Sequence, residues 1–282
     1  MPPRLVPLIE YGVIESVVRP LLSGKEAQVY LVESGGHLRA AKVYKSLQDR
    51  SFRNRSQYTE GRKVRNSRDQ RAMGKRTRYG RDQEEAAWNS VEVDMIYKLD
   101  AAGVRVPKPY AFIEGVLVME CIEGPDGGVA PRVSDCHLGE EEGLAVCDQI
   151  IAEVVKMLCA DVVHADLSVY NVLLEEEGPV IIDFPQSIGA TRNHHARKIL
   201  LRDVANITSA LRFGRPPQEL RFGYEMWDLF ERGDLTPDSV LTGKFDIPKH
   251  AIDPDLLLIE MQQIEEDEAL ARLGEDDMDF DE

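Results

Sequence analysis

Val163-His164-Ala165-Asp166-Leu167-Ser168-Val169-Tyr170-Asn171, followed by Val180-Ile181-Ile182-Asp183, is the stretch from which the rest of the chain is read. Val172-Leu173-Leu174 and Val180-Ile181-Ile182 are short β-favouring runs, and Glu175-Glu176-Glu177-Gly178-Pro179 between them has turn chemistry, so an antiparallel hairpin is expected. Asn171 enters the first strand and Asp183 leaves the second, which puts both at the same end, within reach of one cation. A hard cation such as magnesium takes oxygen ligands and keeps several waters, so a carboxylate and an amide oxygen suffice from the protein. Asp166, one short loop earlier, is placed to accept or orient the proton of an attacking hydroxyl. The plainer alternative is a surface hairpin with polar ends that do nothing.

A second hairpin supplies a lysine. Val29-Tyr30-Leu31-Val32 and Leu38-Arg39-Ala40-Ala41-Lys42-Val43-Tyr44 are strand-like, joined by Ser34-Gly35-Gly36-His37. Lys42 lies in an otherwise apolar strand, where an unpaired ammonium is costly, and phosphates plus a glutamate would compensate it. On its own such a lysine is more often a solvated edge residue. It follows a turn-rich loop, Ser23-Gly24-Lys25-Glu26-Ala27-Gln28, which has one glycine and is neither G-x-G-x-x-G nor a Walker A sequence. Its small residues would let backbone N–H groups approach a phosphate, with Ser23 and Lys25 adding donors.

The spacing of Asp166, Asn171 and Asp183 is similar to that of the catalytic and metal-binding residues of protein kinases. More specifically, the chain resembles the RIO family of atypical protein kinases. The resemblance is carried by Ser23 to Tyr30, Ala41-Lys42, Val104-Arg105-Val106-Pro107-Lys108-Pro109, Val118-Met119-Glu120, Val163 to Asn171, Ile181-Ile182-Asp183-Phe184-Pro185-Gln186-Ser187 and Leu201-Arg202-Asp203-Val204. It spans about residues 15 to 210. It implies that Asp166 is the catalytic aspartate, that Asn171 and Asp183 hold magnesium, and that Lys42 contacts the α- and β-phosphates of ATP. Ser23, Gly24, Lys25, Glu26, Ala27 and Gln28 would form the phosphate loop, and Met119, Glu120 and Ile122 would lie along the adenine. Glu92 is the implied partner of Lys42, ahead of Glu84 and Glu85, and an aspartyl-phosphate on Asp183 is a further implication. Three departures stand out: Ala165 where the family usually has glycine, Val169 where it often has glutamate, and Phe184-Pro185 in place of an aliphatic pair.

The expected fold is therefore α+β and two-lobed, protein-kinase-like, with a small β-rich N-lobe and a larger helical C-lobe. No A-P-E segment follows Asp183, so the C-lobe is expected to be reduced and without an activation loop. The expected divisions are residues 1–120 for the N-lobe, with a basic flexible insertion at about 46–82, residues 121–263 for hinge and C-lobe, and residues 264–282 for an acidic tail. About twenty residues precede the phosphate loop, which points to the RIO subfamily without an N-terminal winged helix. The activity implied is ATP- and magnesium-dependent phosphorylation of serine and threonine, autophosphorylation included. The alternatives are an ATPase-type switch in ribosome or RNA–protein assembly, a small-molecule phosphotransferase of the aminoglycoside-kinase kind, and a binding module without catalysis.

Composition fits one enzyme of this size: 282 residues with a formal charge of −16. That charge is unevenly spread. Residues 50–81 carry twelve Lys or Arg against Glu60 and Asp69, an electrostatic arm for RNA, a ribosomal particle or an acidic protein, or else simply a solvated loop. From Glu265 onward ten carboxylates face Arg272 alone, after a helix expected from Asp253 to Leu273. Four cysteines, at 121, 136, 147 and 159, have no zinc spacing and read as buried thiols of a reducing cytoplasm. No apolar run approaches membrane-spanning length. Leu144, Cys147, Ile151, Val154, Val155 and Leu158 recur at helical spacing and predict a core helix that buttresses the catalytic loop. His194-His195 is expected in a surface loop, His164 to fix backbone geometry, and Asp203 to anchor the loop around Asp166.

Overall fold

The computed structural model describes residues 2–24, 27–44, 92–125, 127–216 and 219–247. Lys25, Glu26, Glu84, Glu85, the basic segment 50–81, the helix expected from Asp253 to Leu273 and the acidic tail lie outside the described residues.

Strands β1 (Ser16–Ser23), β2 (Ala27–Ser34), β3 (His37–Tyr44), β4 (Pro109–Ile113) and β5 (Val116–Glu120) form one antiparallel sheet, in the order β1-β2-β3-β5-β4. The β2–β3 turn is made by Gly35 and Gly36, at φ of 62° and 74°, the two positive values that a tight hairpin turn requires. Side chains alternate across β3. Ala41 and Val43 face one side, where they pack with Val32, Val116, Val118 and with Leu5, Leu8 and Ile14 around helix α1 (Val6–Glu10). A five-residue helix does not hold itself together by local hydrogen bonds. Burial of Leu5, Leu8 and Ile14 supplies what it lacks, at about 1.5–3 kcal/mol for each side chain. Lys42 and Tyr44 take the opposite face, towards helix α2 (residues 92–101), whose Ile96 and Leu99 join Tyr44 and Leu117 in the main core.

The C-lobe is built on α3 (Glu140–Cys159). Val146, Cys147, Ile150, Ile151, Val154, Val155 and Leu158 form its buried stripe, while Leu144 is only half-buried. Glu140, Glu141 and Glu142 sit in the first turn and Lys156 in the last, each the sign that the helix dipole favours. The expected catalytic hairpin is present as β6 (Val172–Glu175) and β7 (Gly178–Ile181), with Val172 opposite Ile181. The turn is shorter than the sequence suggested, being Glu176-Glu177 alone, and Pro179 pairs with Leu174 inside the ladder. Residues 184–195 lead directly into α4 (Ala196–Ala210), so nothing like a long activation loop intervenes. Helix α5 (Phe222–Arg232) closes the lobe and stops at Gly233, at φ 75°. The result is the expected two-lobed fold. Among the described residues no helix is long and apolar enough to cross a membrane.

Candidate active site

Lys42 lies mid-sheet, paired with Val29 on β2 and Leu117 on β5, so its backbone is fixed on both sides. Its side chain is buried. Two carboxylates meet the ammonium: Glu92 Oε1 at 2.5 Å and Asp183 Oδ1 at 2.5 Å. Glu92, on the first described turn of α2, is buried with its partner, whereas the Asp183 side chain is 42% exposed. Burial opposes the charge on Lys42, but Asp183 and Glu92 outweigh it and hold the ammonium above the ordinary lysine range. Burial likewise pushes Asp183 up, and Lys42 outweighs it, leaving the carboxyl below its usual range. Both groups are therefore charged near neutral pH. Since Asp183 is the wetter of the two carboxylates, it is the one free to exchange lysine for another cation.

The hairpin delivers Asp183 and Asn171 together. Ile182 N–H donates to Asn171 O at 3.0 Å, which extends the β6–β7 pairing by one step and leaves Asp183 next to Asn171. Asn171 Nδ2 donates to Asp166 O at 2.9 Å. That engages the nitrogen of the amide, so its oxygen is the atom available to a ligand. An amide oxygen and a carboxylate suit a hard cation that keeps waters and phosphate oxygens, the donor set of magnesium. Among the described residues no group of three or more His, Cys, Asp or Glu converges as a closed metal cage. His194 and His195 sit exposed ahead of α4, as the sequence suggested.

Asp166 faces the same cleft from a loop held on every side. Burial, with Asp183 nearby, pushes its carboxyl above the ordinary aspartate range, against the pull of Arg202 and the Asn171 amide. That is the direction in which an aspartate becomes a better proton acceptor. His164 is buried, which pushes its pKa down to about 4 and keeps the ring neutral. Its Nδ1 accepts from Asp166 N–H at 3.3 Å, so Nε2 carries the proton and donates to Ile182 O at 3.0 Å. Asp203 Oδ2 accepts from Ala165 N–H at 2.7 Å, and Asn206 Nδ2 donates to Leu167 O at 3.2 Å. Asp203 thus anchors the loop from α4, and His164 ties it to the hairpin.

A cleft of about 650 Å³ separates the lobes. At one end lie Lys42, Asp166, Asn171 and Asp183; at the other, apolar groups of both lobes, among them Val29, Ala40, Met119, Ile122 and Leu173. A flat heteroaromatic ring fits the second end and a polyphosphate the first. Gly24, Ala27, Glu92 and Glu120 also line the cleft, whereas Ser23 and Gln28 do not. Gln28 falls on the other face of β2, between inward Ala27 and Val29, and its Oε1 accepts from the Tyr30 hydroxyl at 2.8 Å. Gly24 N–H donates to Ala27 O at 2.9 Å, which ties the end of β1 to the start of β2. Glu120 directs Oε2 to Lys108 N–H at 3.1 Å, so its side chain braces the hinge rather than filling the cleft.

Sequence reasoning missed Arg132, which lines the cleft and bridges Leu173, and Arg202, which donates to Ala165 O at 2.7 Å. Arg132 carries no motif that marks it. Arg202 lies within Leu201-Arg202-Asp203-Val204, where nothing in the sequence marks it as Asp203 is marked.

Known proteins resemble this chain in sequence and in fold. The RIO1 family, described as the RIO domain, matches residues 28–219. The RIO-type serine/threonine-protein kinase Rio1 of Haloferax volcanii is 30% identical over 207 residues, covering 73% of this chain and 66% of that protein. Rio1 of Methanocaldococcus jannaschii is 33% identical over 192 residues, 67% of this chain and 61% of the relative. The human serine/threonine-protein kinase RIO1 is 31% identical over 216 residues, 72% of this chain and 34% of the relative. The chain therefore matches less than two thirds of the length of these relatives. Among solved structures, the Rio2 kinase-ADP/Mg2+-phosphoaspartate complex from Chaetomium thermophilum superposes with a TM-score of 0.57 at 18% identity, covering 94% of this chain and 75% of that one. On the match across residues 28–219, this chain belongs to the RIO domain family.

Proposed function

We propose that the protein is an ATP- and magnesium-dependent kinase that transfers the γ-phosphate to serine and threonine hydroxyls, its own included. The observation that carries this reading is the Lys42 ammonium held 2.5 Å from both Glu92 and Asp183, on the wall of a cleft that also holds Asp166 and Asn171. Lys42 would neutralise the α- and β-phosphates, with Glu92 holding it in place. Met119 and Ile122 would flank the adenine, and the segment from Gly24 to Ala27 would cover the phosphates. Asn171 and Asp183 would hold magnesium, which when bound neutralises charge on the phosphate oxygens. Asp166 would accept and orient the proton of the attacking hydroxyl. Such a site works by alignment and charge neutralisation, since the transferred group asks little covalent chemistry of the protein.

The partners follow the same reading. The excess of positive charge in residues 50–81 supports contact with RNA or a ribosomal particle. Four unpaired cysteines support a reducing, cytoplasmic setting.

The test is incubation with magnesium and γ-labelled ATP without added substrate, with intact mass and ADP release read together. Transfer to hydroxyls of the unsubstituted protein, lost in Asp166→Ala and Asp183→Ala, is expected. ADP release with no labelled protein would replace the kinase with an ATPase switch. Label recovered on Asp183 itself would make that carboxylate the acceptor, as the phosphoaspartate named in the Rio2 complex is for that protein.

A further inference from the structure

Ala165, immediately before Asp166, has φ of 70° and is wholly buried. A residue with a Cβ disfavours that left-handed conformation by roughly ten-fold, whereas glycine takes it as readily as its mirror image. Something must therefore hold Ala165 there, and both polar groups of the residue are held by α4. Its N–H donates to Asp203 Oδ2 at 2.7 Å, and its carbonyl accepts from Arg202 Nη2 at 2.7 Å. The same Nη2 donates to Asp203 Oδ1 at 3.1 Å, so the two side chains form one clamp. The carbonyl that Arg202 holds belongs to the peptide bond leading into Asp166. On the far side of that bond, Asn171 Nδ2 holds Asp166 O at 2.9 Å. The peptide plane before Asp166 and the carbonyl after it are thus both fixed, which sets the direction in which the Asp166 carboxylate leaves the backbone.

We propose that Arg202 is a positioning residue for phosphoryl transfer: by gripping the Ala165 carbonyl it keeps a strained, left-handed alanine in place and so aims Asp166 into the cleft. The inference rests on the kinase reading above and adds to it a residue that touches neither nucleotide nor hydroxyl. It also explains how the chain works with alanine at 165. Glycine there would need no such grip; alanine does.

A double-substitution cycle on the full chain tests this, using Arg202→Met, Ala165→Gly, the pair of them, and Arg202→Lys. Each protein is assayed for kcat and for KM of ATP, with circular dichroism and urea unfolding to establish that it is folded. Arg202→Met should lower kcat by about ten-fold or more and leave KM for ATP within about two-fold, because Lys42 and the hinge are untouched. Arg202→Lys, which keeps a charged donor, should recover part of the loss. Adding Ala165→Gly to Arg202→Met should raise kcat by about five-fold or more, since glycine needs no grip to stay left-handed. A folded Arg202→Met protein with unchanged kcat would overturn the inference. So would a double variant no faster than the product of the two single effects. Should Arg202→Met not fold, the same cycle built on Arg202→Lys decides by the same criterion. Absence of transfer in the unsubstituted protein would instead remove the kinase reading, and this inference with it.

Discussion

Asp203→Asn keeps the shape of the side chain and removes its titration. Asp203 is 1% exposed, and burial pushes its carboxyl up to about 7 although Arg202 and the Ala165 N–H favour the anion. In the unfolded chain it returns to 3.8. Between these values the folded protein holds a proton that the unfolded chain has lost. The stability contributed by this group is therefore complete below pH 3.8 and falls as pH rises through 7. Each pH unit inside the window is worth about 1.4 kcal/mol, and since the folded group is half titrated at pH 7 the interval from pH 7 down to 5 is worth about 2 kcal/mol. His164 acts in the opposite sense. It is held near 4 in the fold against an ordinary 6.5, so its contribution is present above 6.5 and lost as pH falls towards 4. In the unsubstituted protein the two slopes nearly cancel over the part of the range they share. In Asp203→Asn the histidine acts alone. Urea unfolding followed by tryptophan fluorescence at intervals from pH 5 to 8 gives both curves, and groups common to the two proteins drop out of their difference. The stability of the unsubstituted protein relative to Asp203→Asn should rise by about 2 kcal/mol on going from pH 7 to 5. A difference that does not change with pH would refute the reasoning, since it would mean that Asp203 is ionised throughout.

Three other substitutions or probes follow from the packing and the charges. Glu92→Gln removes one of the two charges that compensate buried Lys42, so it should cost about 1–3 kcal/mol of stability and lower kcat/KM for ATP by about ten-fold or more; unchanged values of both would mean that Asp183 suffices alone. Gly143→Ala in α3 sets helix propensity, a gain of about 1 kcal/mol, against a Cβ driven into the Phe213 ring. Overpacking should win by about 1–3 kcal/mol, and a more stable protein by urea titration would show that Phe213 moves aside without cost. The Cys147 thiol is buried and pushed up to about 12, so with the native protein at pH 8 a thiol reagent should label the half-buried Cys136 and Cys159 first. Early modification of Cys147, read by peptide mapping, would contradict its placement in α3.

Much of the architecture could be read because local rules and tertiary structure agree. The β2–β3 hairpin follows from paired glycines between two alternating runs, and both glycines adopt the positive φ that such a turn needs. The β6–β7 hairpin is legible as a pair of strands, but the proline and glycine of Glu175 to Pro179 predict a longer turn than the one that forms. Pro179 instead pairs with Leu174, whose N–H is taken by Pro131 O at 2.9 Å. In α3 the period was right and the phase slightly off: Val146 and Ile150 are buried, and Leu144 lies at the edge of the stripe. Within the site, Lys42, Glu92 and Asp183 converge from three distant segments as the family resemblance implied. Gln28 turns away because a strand alternates, a rule that the sequence already contained. The grip of Arg202 on Ala165 was not legible at all. It depends on α4 passing beneath a loop 37 residues earlier, and on a φ value that no residue type announces unless it is glycine.

Lys42, Asp166, Asn171 and Asp183 are proposed to form one phosphoryl-transfer site. Its most direct test is a crystal structure of the protein with magnesium and a non-hydrolysable ATP analogue. Adenine between Met119, Ile122 and Leu173, phosphates on Lys42, and a magnesium ion shared by Asn171 and Asp183 with Asp166 facing the γ-phosphate are predicted. A nucleotide bound outside this cleft, or a metal ion that leaves Asp183 still paired with Lys42 alone, would contradict it.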